Sequence, residues 1–306
     1  MGEQGNYPTF YTLLYINSDD NSTLSENSNS KLIDYIRCCK ALNTSLEKQG
    51  HNLVVLTNNI SSFKEHEKEL KVRVIEFDLD VPKGIKFYSA HFKLDVFKYF
   101  STLKSEYSIL IDCDVVCINE MPSSMERVIS LNIPMYYDIT KERYPAYGRD
   151  KLIKDKKTLM HQESIGSWSG GEFIGGNDVF FDEIYLLCKK YWLGYKEKHQ
   201  TLQHQGDEML TSCAIEEFQI KGNFIFEVGS VGGISRFWSS NTMHVQNEFS
   251  SIIDNFLLHL PADKNIIANH TRFDAIGFIS DYKRYLRKRK LRNFSVQLIS
   301  KIKKMM

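Results

Sequence analysis

Two aspartates at the end of a short apolar run are the residues of this sequence best placed to do chemistry. Asp112 and Asp114 follow residues 109–111, three aliphatic residues that predict one buried strand. Side chains two positions apart on an extended backbone point to the same side, so both carboxylates can converge on one cation. Mg²⁺ or Mn²⁺ bound in this way completes its shell with water and phosphate oxygens. The pair therefore predicts a metal clamp for a diphosphate, and a turn or helix cap is the alternative.

The segments around this pair alternate between strand and helix patterns. Because consecutive strands separated by helices form parallel pairs, we expect an α/β fold with a mainly parallel sheet covered on both faces, in which the aspartates end the fourth strand. The predicted strands before the pair cover residues 10–17, 52–57 and 72–77, and the main helices cover residues 31–49 and 88–100.

Three polar residues are candidates for binding a nucleotide beside the metal. Asn17 and Asp19 follow the first strand, at the edge where open α/β sheets bind nucleotides. Lys93 lies on the predicted helix 88–100, where its ammonium group would neutralise diphosphate oxygens. A solvated loop or helix face is the alternative for each of them.

A glycine-rich stretch over residues 169–177 is the second informative region. Four glycines within seven positions allow the backbone to approach a ligand closely, and Gly175 and Gly176 are the candidates for that contact. Phe173 and Ile174 between the glycines suggest a short buried strand. A tight turn without function is the alternative. The polar residues 140–162 show no clear period, which predicts a lid or acceptor loop.

Two further acidic residues and one histidine complete the candidate set. Asp207 and Glu208 fall in the first turn of a predicted helix, where the helix dipole stabilises carboxylates. Capping explains Asp207 but not Glu208. His270 follows a predicted strand over residues 266–268, and an ordinary polar role is its alternative.

Composition places these residues in a globular protein. The sequence shows neither a signal-peptide pattern nor an apolar run long enough to span a membrane, so we expect the protein to be cytoplasmic. The six cysteines form no CxxC pair, so we expect their thiols to be reduced. Net charge near zero argues against nucleic-acid binding. Residues 280–306 hold ten Lys or Arg and one acid, a local charge of +9 that leaves −8 for the rest. This amphipathic tail predicts contact with an anionic membrane, and packing on the domain is the alternative.

Taken in order, these features resemble a GT-A glycosyltransferase over roughly residues 10–272. The glycine stretch and the Asp-Glu pair are similar to retaining glycosyltransferase family six, and the aspartate pair with a late histidine is similar to family eight. The resemblance implies a GT-A domain over residues 1–279, with a nucleotide-sugar half of about 1–120 and an acceptor half of about 121–279. Family-six Trp-His and family-eight Lys-Pro-Trp sequences are absent from the corresponding positions.

The same resemblance implies an activity and assigns roles. A hexose would move from a nucleotide diphosphate sugar, UDP-galactose or UDP-glucose in type, to a surface-glycan or lipid-linked saccharide, with retention. Asp112, Asp114 and His270 would bind Mn²⁺ or Mg²⁺, Asp207 would bind donor hydroxyls, and Glu208 would lie beneath the anomeric carbon.

Two other classes fit parts of the sequence. A phosphohydrolase of the haloacid dehalogenase type would use Asp112 as its nucleophile, although three predicted strands precede the aspartates and that family usually has its motif on the first strand. A sugar-binding module without catalytic activity would retain the fold alone.

Overall fold

The computed structural model describes residues 8–17, 26–66, 68–104 and 106–305. Seven strands form the larger sheet in the order β3-β2-β1-β4-β7-β6-β8. Strands β1 to β4 are mutually parallel where they pair, whereas β7 runs antiparallel to both of its neighbours. The strands are β1 (Thr9–Leu13), β2 (Asn52–Thr57), β3 (Lys71–Val74), β4 (Ser108–Ile111), β6 (Met135–Asp138), β7 (Ser169–Gly176) and β8 (Phe226–Glu227).

A second sheet of three strands, in the order β5-β10-β9, begins directly after the aspartate pair. Strand β10 is antiparallel to β5 and parallel to β9, and it aligns His259 with Val115 on one side and with Arg236 on the other. The small sheet therefore brings two segments that are distant in sequence to the carboxyl end of β4. Its strands are β5 (Val115–Cys117), β9 (Ile234–Arg236) and β10 (Leu257–His259).

Nine α-helices are described, and they cover both sheets. They are α1 (Glu26–Glu47), α2 (Lys93–Phe100), α3 (Ser123–Ser130), α4 (Thr140–Tyr147), α5 (Arg149–Met160), α6 (Asp178–Lys198), α7 (Asp207–Ile220), α8 (Lys264–Ala268) and α9 (Ala275–Met305).

The predicted mixed α/β fold with a mostly parallel sheet is confirmed, but two local predictions were wrong. Residues 140–162, expected as an irregular lid, form α4 and α5, because buried Leu152, Leu159 and Met160 give α5 an apolar face. Residues 266–268, expected as a strand, belong to α8. The short buried strand predicted within the glycine stretch is confirmed, and it extends over eight fully buried residues.

Strand β7 owes its central position to its glycines. It lies between β4 and β6, and a Cβ atom at Gly176 would lie 2.3 Å from the ring of Phe180. Helix α6 follows at once, and the side-chain oxygen of its N-cap residue Asn177 accepts a hydrogen bond of 3.0 Å from the Phe180 amide. Small residues here thus let α6 pack directly on the sheet.

The basic C-terminal segment begins as part of the domain. Phe278 and Tyr282 on α9 are fully buried against Phe237 and Phe249, and the Tyr282 hydroxyl donates a hydrogen bond of 2.6 Å to Asp263. Helix α9 is therefore continuous across the predicted boundary at residue 280. Among the described residues, none of the helices combines the length and the apolar character needed to cross a membrane.

Candidate functional site

Asp112, Asp114 and His259 form a potential metal site where β4 ends. One ligand atom from each residue lies within 4.8 Å of the others. Asp112 follows β4, Asp114 precedes β5, and the pairing of β10 with β5 brings His259 beside them. The backbone amide of Leu260 also donates a 3.0 Å hydrogen bond to the carbonyl of Asp114, which fixes this register.

Glu172 holds the His259 ring from the side opposite Asp114. His259 Nδ1 donates to Glu172 Oε1 at 3.2 Å, and Nε2 donates to Asp114 Oδ1 at 3.1 Å. Burial alone would lower the pKa of His259, but the two carboxylates raise it to about 9. A carboxylate on Nδ1 leaves Nε2 directed at the aspartates, which is the arrangement that orients metal-binding histidines in proteins.

The donor set fits a divalent cation. Two carboxylates and one imidazole suit Mn²⁺ better than Mg²⁺, because Mg²⁺ prefers oxygen ligands. Asp114 also accepts a hydrogen bond from the ammonium group of Lys264, which in turn donates to the carbonyl of Pro261 at 3.0 Å. Burial would raise the pKa of Asp114, but His259 and Lys264 lower it well below its usual range. Lys264 would therefore compete with an incoming cation for Asp114.

Lys93 connects the potential metal site to the acids of α7. Its ammonium group lies 2.8 Å from Asp112 Oδ1, 2.9 Å from Asp207 Oδ2 and 2.8 Å from the carbonyl of Gly171. Burial would lower the pKa of Lys93, but the two aspartates raise it above its usual value. Lys93 thus stays charged and lies between the carboxylates of Asp112 and Asp207, in contact with both.

Glu208 is hydrogen-bonded through both of its oxygens. Oε1 accepts from Arg236 at 2.7 Å, and Oε2 accepts from Arg143 at 2.6 Å and from the indole of Trp168 at 3.0 Å. Burial would raise its pKa, but Arg143 and Arg236 lower it well below its usual range. The neighbouring Asp207 behaves oppositely, because burial raises its pKa and Lys93 offsets only part of the rise. Glu208 is therefore a fixed anion.

Arg236 links Glu208 to the ligand set described above. Its Nε donates to Glu172 Oε1 at 2.6 Å, and its Nη2 donates to both Glu172 and Glu208. The ion pairs are continuous from Lys264 to Arg143. Together with the separate ion pairs of Lys93, the site holds five carboxylates and, when His259 is protonated, five cations. The carboxylates are Asp112, Asp114, Glu172, Asp207 and Glu208, and the cations are Lys93, Arg143, Arg236, His259 and Lys264.

The structure corrects the predicted role of Gly175 and Gly176. Strand β7 is antiparallel to β4, so Gly175 pairs with Ile109 and Gly176 with Ser108, at the end of β4 away from Asp112. The opposite end of β7 reaches the site instead. A Cβ atom at Gly171 would lie 2.7 Å from Asp207 Oδ2 and 3.2 Å from the ammonium group of Lys93. Gly171 is therefore the glycine that the packing of the acids and Lys93 requires.

His270 also lies elsewhere than predicted. It follows α8, and its ring packs edge-on against Phe278 with the ring centroids 5.1 Å apart. The histidine that joins the aspartates is His259, because β10 rather than residues 266–268 provides the neighbouring strand. Asn17 lies four residues beyond the end of β1, and Asp19 is outside the described residues.

The residues that the sequence did not single out are His259, Glu172, Arg236 and Arg143. A histidine inside the apolar run Phe256–Leu260 is a signal that was available, because a polar residue in a buried strand needs a partner. Glu172, set among glycines and aromatic residues, is a second signal of the same kind. The arginines have no comparable signature, since their partners are fixed only by tertiary packing.

The two sheets have the fold of GT-A glycosyltransferases, as comparison with a solved structure shows. The apo structure of WbbM, a bifunctional glycosyltransferase, matches with a TM-score of 0.50 and 10% identity over 85% of this chain, which spans 46% of the WbbM chain. Identity this low establishes the fold alone.

Two structures of LgtC match at lower TM-scores. An active-site mutant gives 0.48 with 11% identity, and the galactosyltransferase LgtC in complex with donor and acceptor sugar analogs gives 0.49 with 10% identity. Each match covers 83% of this chain and 87% of the LgtC chain. Neither the protein-family models nor the curated proteins contain a match to this sequence.

Proposed function

We propose that this protein is a metal-dependent glycosyltransferase that moves a hexose from a nucleotide diphosphate sugar to a saccharide acceptor. The observation that carries the proposal is the position of Lys93, which contacts Asp112 of the potential metal site and Asp207 beside Glu208. A diphosphate bound at the potential metal site would place its sugar near Asp207 and Glu208. The GT-A fold is consistent with this orientation.

The proposed metal ligands are Asp112, Asp114 and His259, with Mn²⁺ favoured over Mg²⁺ by the imidazole. A divalent ion there would act as a Lewis acid that stabilises negative charge on the leaving diphosphate. Lys93 would exchange one of its three present contacts for a phosphate oxygen and add a second positive charge beside the partly exposed Asp112. Glu172 would keep the His259 ring in place throughout.

Glu208 would stabilise the positive charge that develops on the sugar ring. Both of its oxygens are already hydrogen-bonded to arginine or indole donors, and its pKa is well below its usual range. These contacts favour electrostatic stabilisation over covalent capture, because a nucleophilic oxygen would have to lose a charged hydrogen bond. Asp207, ion-paired with Lys93, would bind hydroxyl groups of the donor sugar. A retaining outcome, which the resemblance to families six and eight implies, is part of this proposal.

The test is calorimetric titration with UDP-glucose, UDP-galactose and GDP-mannose, with and without Mn²⁺. We expect one UDP-linked sugar to bind tightly only when Mn²⁺ is present, and Asp114→Asn to abolish the gain from the metal. Asp78→Asn, which changes an exposed acid paired with Lys98, is the matched control and should bind as the original protein does. Binding of none of these donors, or equal binding without metal, would contradict the proposal.

The phosphohydrolase alternative receives less support. Asp112 follows the fourth strand of the chain, and that strand lies between β1 and the antiparallel β7. A haloacid dehalogenase would carry its nucleophile after the first strand. Hydrolysis of an aryl phosphate that is lost in Asp112→Asn would favour the alternative.

The acceptor would be a surface glycan or a lipid-linked saccharide at the inner face of the cell membrane. Support comes from α9, which is anchored by Tyr282 and then exposes Arg287, Lys288 and Lys290. Such clusters attract anionic lipid surfaces. Lys288→Glu with Lys290→Glu should weaken binding to phosphatidylglycerol vesicles, whereas Lys83→Glu, far along the chain in an exposed turn, should not. Equal vesicle binding by both variants would refute the membrane proposal.

A further inference from the structure

Phe87 combines two features that are rarely found together. Its backbone has φ 56° and ψ 35°, the left-handed region that bulky residues avoid, and its side chain is largely exposed, with 61% of the residue accessible. Strained residues of this kind persist where the surrounding structure holds them, and they concentrate at binding sites. The Phe87 carbonyl accepts hydrogen bonds from the Ala90 amide at 2.9 Å and from His91 Nδ1 at 3.0 Å. These contacts hold the backbone in place.

The ring of Phe87 contacts His204, and His204 in turn lies beside Glu208. It stacks on His204, with centroids 5.5 Å apart and the planes 21° from parallel. His204 Nε2 lies 3.8 Å from Glu208 Oε2, and His204 Nδ1 accepts a 3.0 Å hydrogen bond from Arg143. Burial lowers the pKa of His204 to about 3, so this ring is neutral and can accept that bond. One face of Phe87 is thus covered near Glu208 while the residue remains exposed.

Further planar groups continue from the same arginine. The Arg143 guanidinium lies 4.8 Å from the ring centroid of Tyr147, whose ring packs 5.5 Å from that of His244. His244 stacks in turn on Trp238 at 6.1 Å and 15°. Arg143 therefore contacts two sets of planar groups, His204 with Phe87 and Tyr147 with His244 and Trp238. Ligand sites that combine aromatic faces with a few fixed polar groups are typical of small-molecule recognition.

From this arrangement we infer that Phe87 is the stacking platform for the pyranose ring of the acceptor, an inference that rests on the proposed function. A pyranose has one face of C–H groups, which buries apolar area against an aromatic ring, and hydroxyl groups at its edge that can reach charged partners. Because His204 covers one face of Phe87, the sugar would stack on the opposite face, and hydroxyl groups at its edge would extend past the Phe87 ring toward the side of Glu208. The strained backbone keeps the ring in that position before the acceptor binds, which lowers the entropy cost of binding.

The test compares Phe87→Gly with the original protein. Glycine adopts the left-handed region without strain, so this variant removes the ring and retains the local backbone. Phe87→Trp, which keeps an aromatic face, should restore the function that glycine removes. Phe224→Ala is the matched control, because Phe224 is 66% exposed in the segment before β8. Thermal unfolding of each variant verifies that all of them fold.

Two measurements separate this inference from the proposed function. Saturation-transfer NMR with methyl β-galactoside and methyl α-glucoside, in the presence of UDP and Mn²⁺, reports sugar binding without turnover. We expect Phe87→Gly to weaken that binding about tenfold and the other two variants to retain it. UDP release from the donor is measured with and without each sugar. Stimulation by sugar should be lost in Phe87→Gly and retained in Phe87→Trp and Phe224→Ala.

Unchanged sugar binding in Phe87→Gly, or binding of neither sugar by the original protein, would overturn the inference. Equal stimulation in Phe87→Gly would do the same. Absence of UDP release from every donor would instead refute the proposed function, because the NMR measurement does not depend on turnover.

Discussion

Arg236 offers a direct test of the ion-pair network, because it is buried between the carboxylate of Glu172 on β7 and that of Glu208 on α7. It makes three hydrogen bonds, two to Glu172 and one to Glu208, and it is 8% exposed. Arg236→Met retains most of the side-chain volume and removes the charge. The variant leaves Glu172 with His259 as its remaining charged partner.

The expected loss of stability in Arg236→Met depends on the contacts that Glu172 and Glu208 retain. Breaking a buried ion pair by removing one partner costs about 3–5 kcal/mol. Glu172 retains a 3.2 Å contact to His259, and Glu208 retains a 2.6 Å contact to Arg143. We therefore expect a loss near the lower limit, about 3 kcal/mol, in the free energy of unfolding. A protein with a stability of about 5–15 kcal/mol remains folded after such a loss.

The assay is urea unfolding of a double-mutant cycle, followed by circular dichroism. Glu172→Gln removes one carboxylate charge, so Glu172→Gln with Arg236→Met should cost less than the sum of the single changes by about 1–3 kcal/mol. Lys98→Met with Asp78→Asn, an exposed pair, is the control cycle and should show coupling below about 1 kcal/mol. If the losses in free energy of unfolding from Arg236→Met and Glu172→Gln were additive, the reasoning that these two residues stabilise each other would be refuted.

Three further predictions use other parts of the site. Lys264→Met should raise the affinity for Mn²⁺ about tenfold in calorimetry without nucleotide, because the competing ammonium group is removed; an unchanged affinity would contradict this competition. Gly171→Ala should lower turnover by about a hundredfold, since its Cβ atom would displace Asp207, whereas Gly175→Ala should retain turnover, and equal losses would contradict the corrected assignment. Burial raises the pKa of Glu142 from 4.5 to about 7, so the folded protein binds a proton that the unfolded chain has released between those pH values, and its stability falls as pH rises through that window. Glu142→Gln should abolish this fall, which is on the order of 3 kcal/mol in urea unfolding measured between pH 4 and pH 8, and an identical pH dependence in the variant would contradict it.

The sequence predicted the parts of the fold that depend on local patterns. The apolar run before Asp112 gives β4, and the periodic segment after Gly206 gives α7 with Asp207 and Glu208 in its first turn. Both signals are short-range, because a strand or an amphipathic helix shows its period within a few residues. The proximity of Lys93 to Asp112 also follows from a helix that precedes the strand in a parallel sheet.

Strand direction was the property that the sequence could not supply. A glycine-rich segment has the same sequence pattern whether its strand runs parallel or antiparallel to β4. The antiparallel pairing places Gly171, rather than Gly175, beside Asp207 and Lys93. The same holds for His259, which reaches Asp114 only through the pairing of β10 with β5. Long-range pairing of this kind is set by tertiary packing and leaves little local trace.

The left-handed backbone conformation of Phe87 could not be predicted from the sequence either. Phe87 precedes the helical turn Tyr88–Phe92, and nothing in its neighbours requires a left-handed backbone. Arg143 was expected in an irregular loop, but α4 buries it against Trp168 and Glu208. Both cases depend on contacts between segments far apart in the chain.

The most direct test of the central claim is a crystal structure of the protein with UDP and Mn²⁺, with the metal located by its anomalous scattering. The account predicts one manganese ion bound by Asp112, Asp114 and His259 and by diphosphate oxygens, with the Lys264 ammonium group displaced from Asp114. An ion bound elsewhere, or UDP bound with Lys264 still on Asp114 and without manganese between the aspartates, would contradict it.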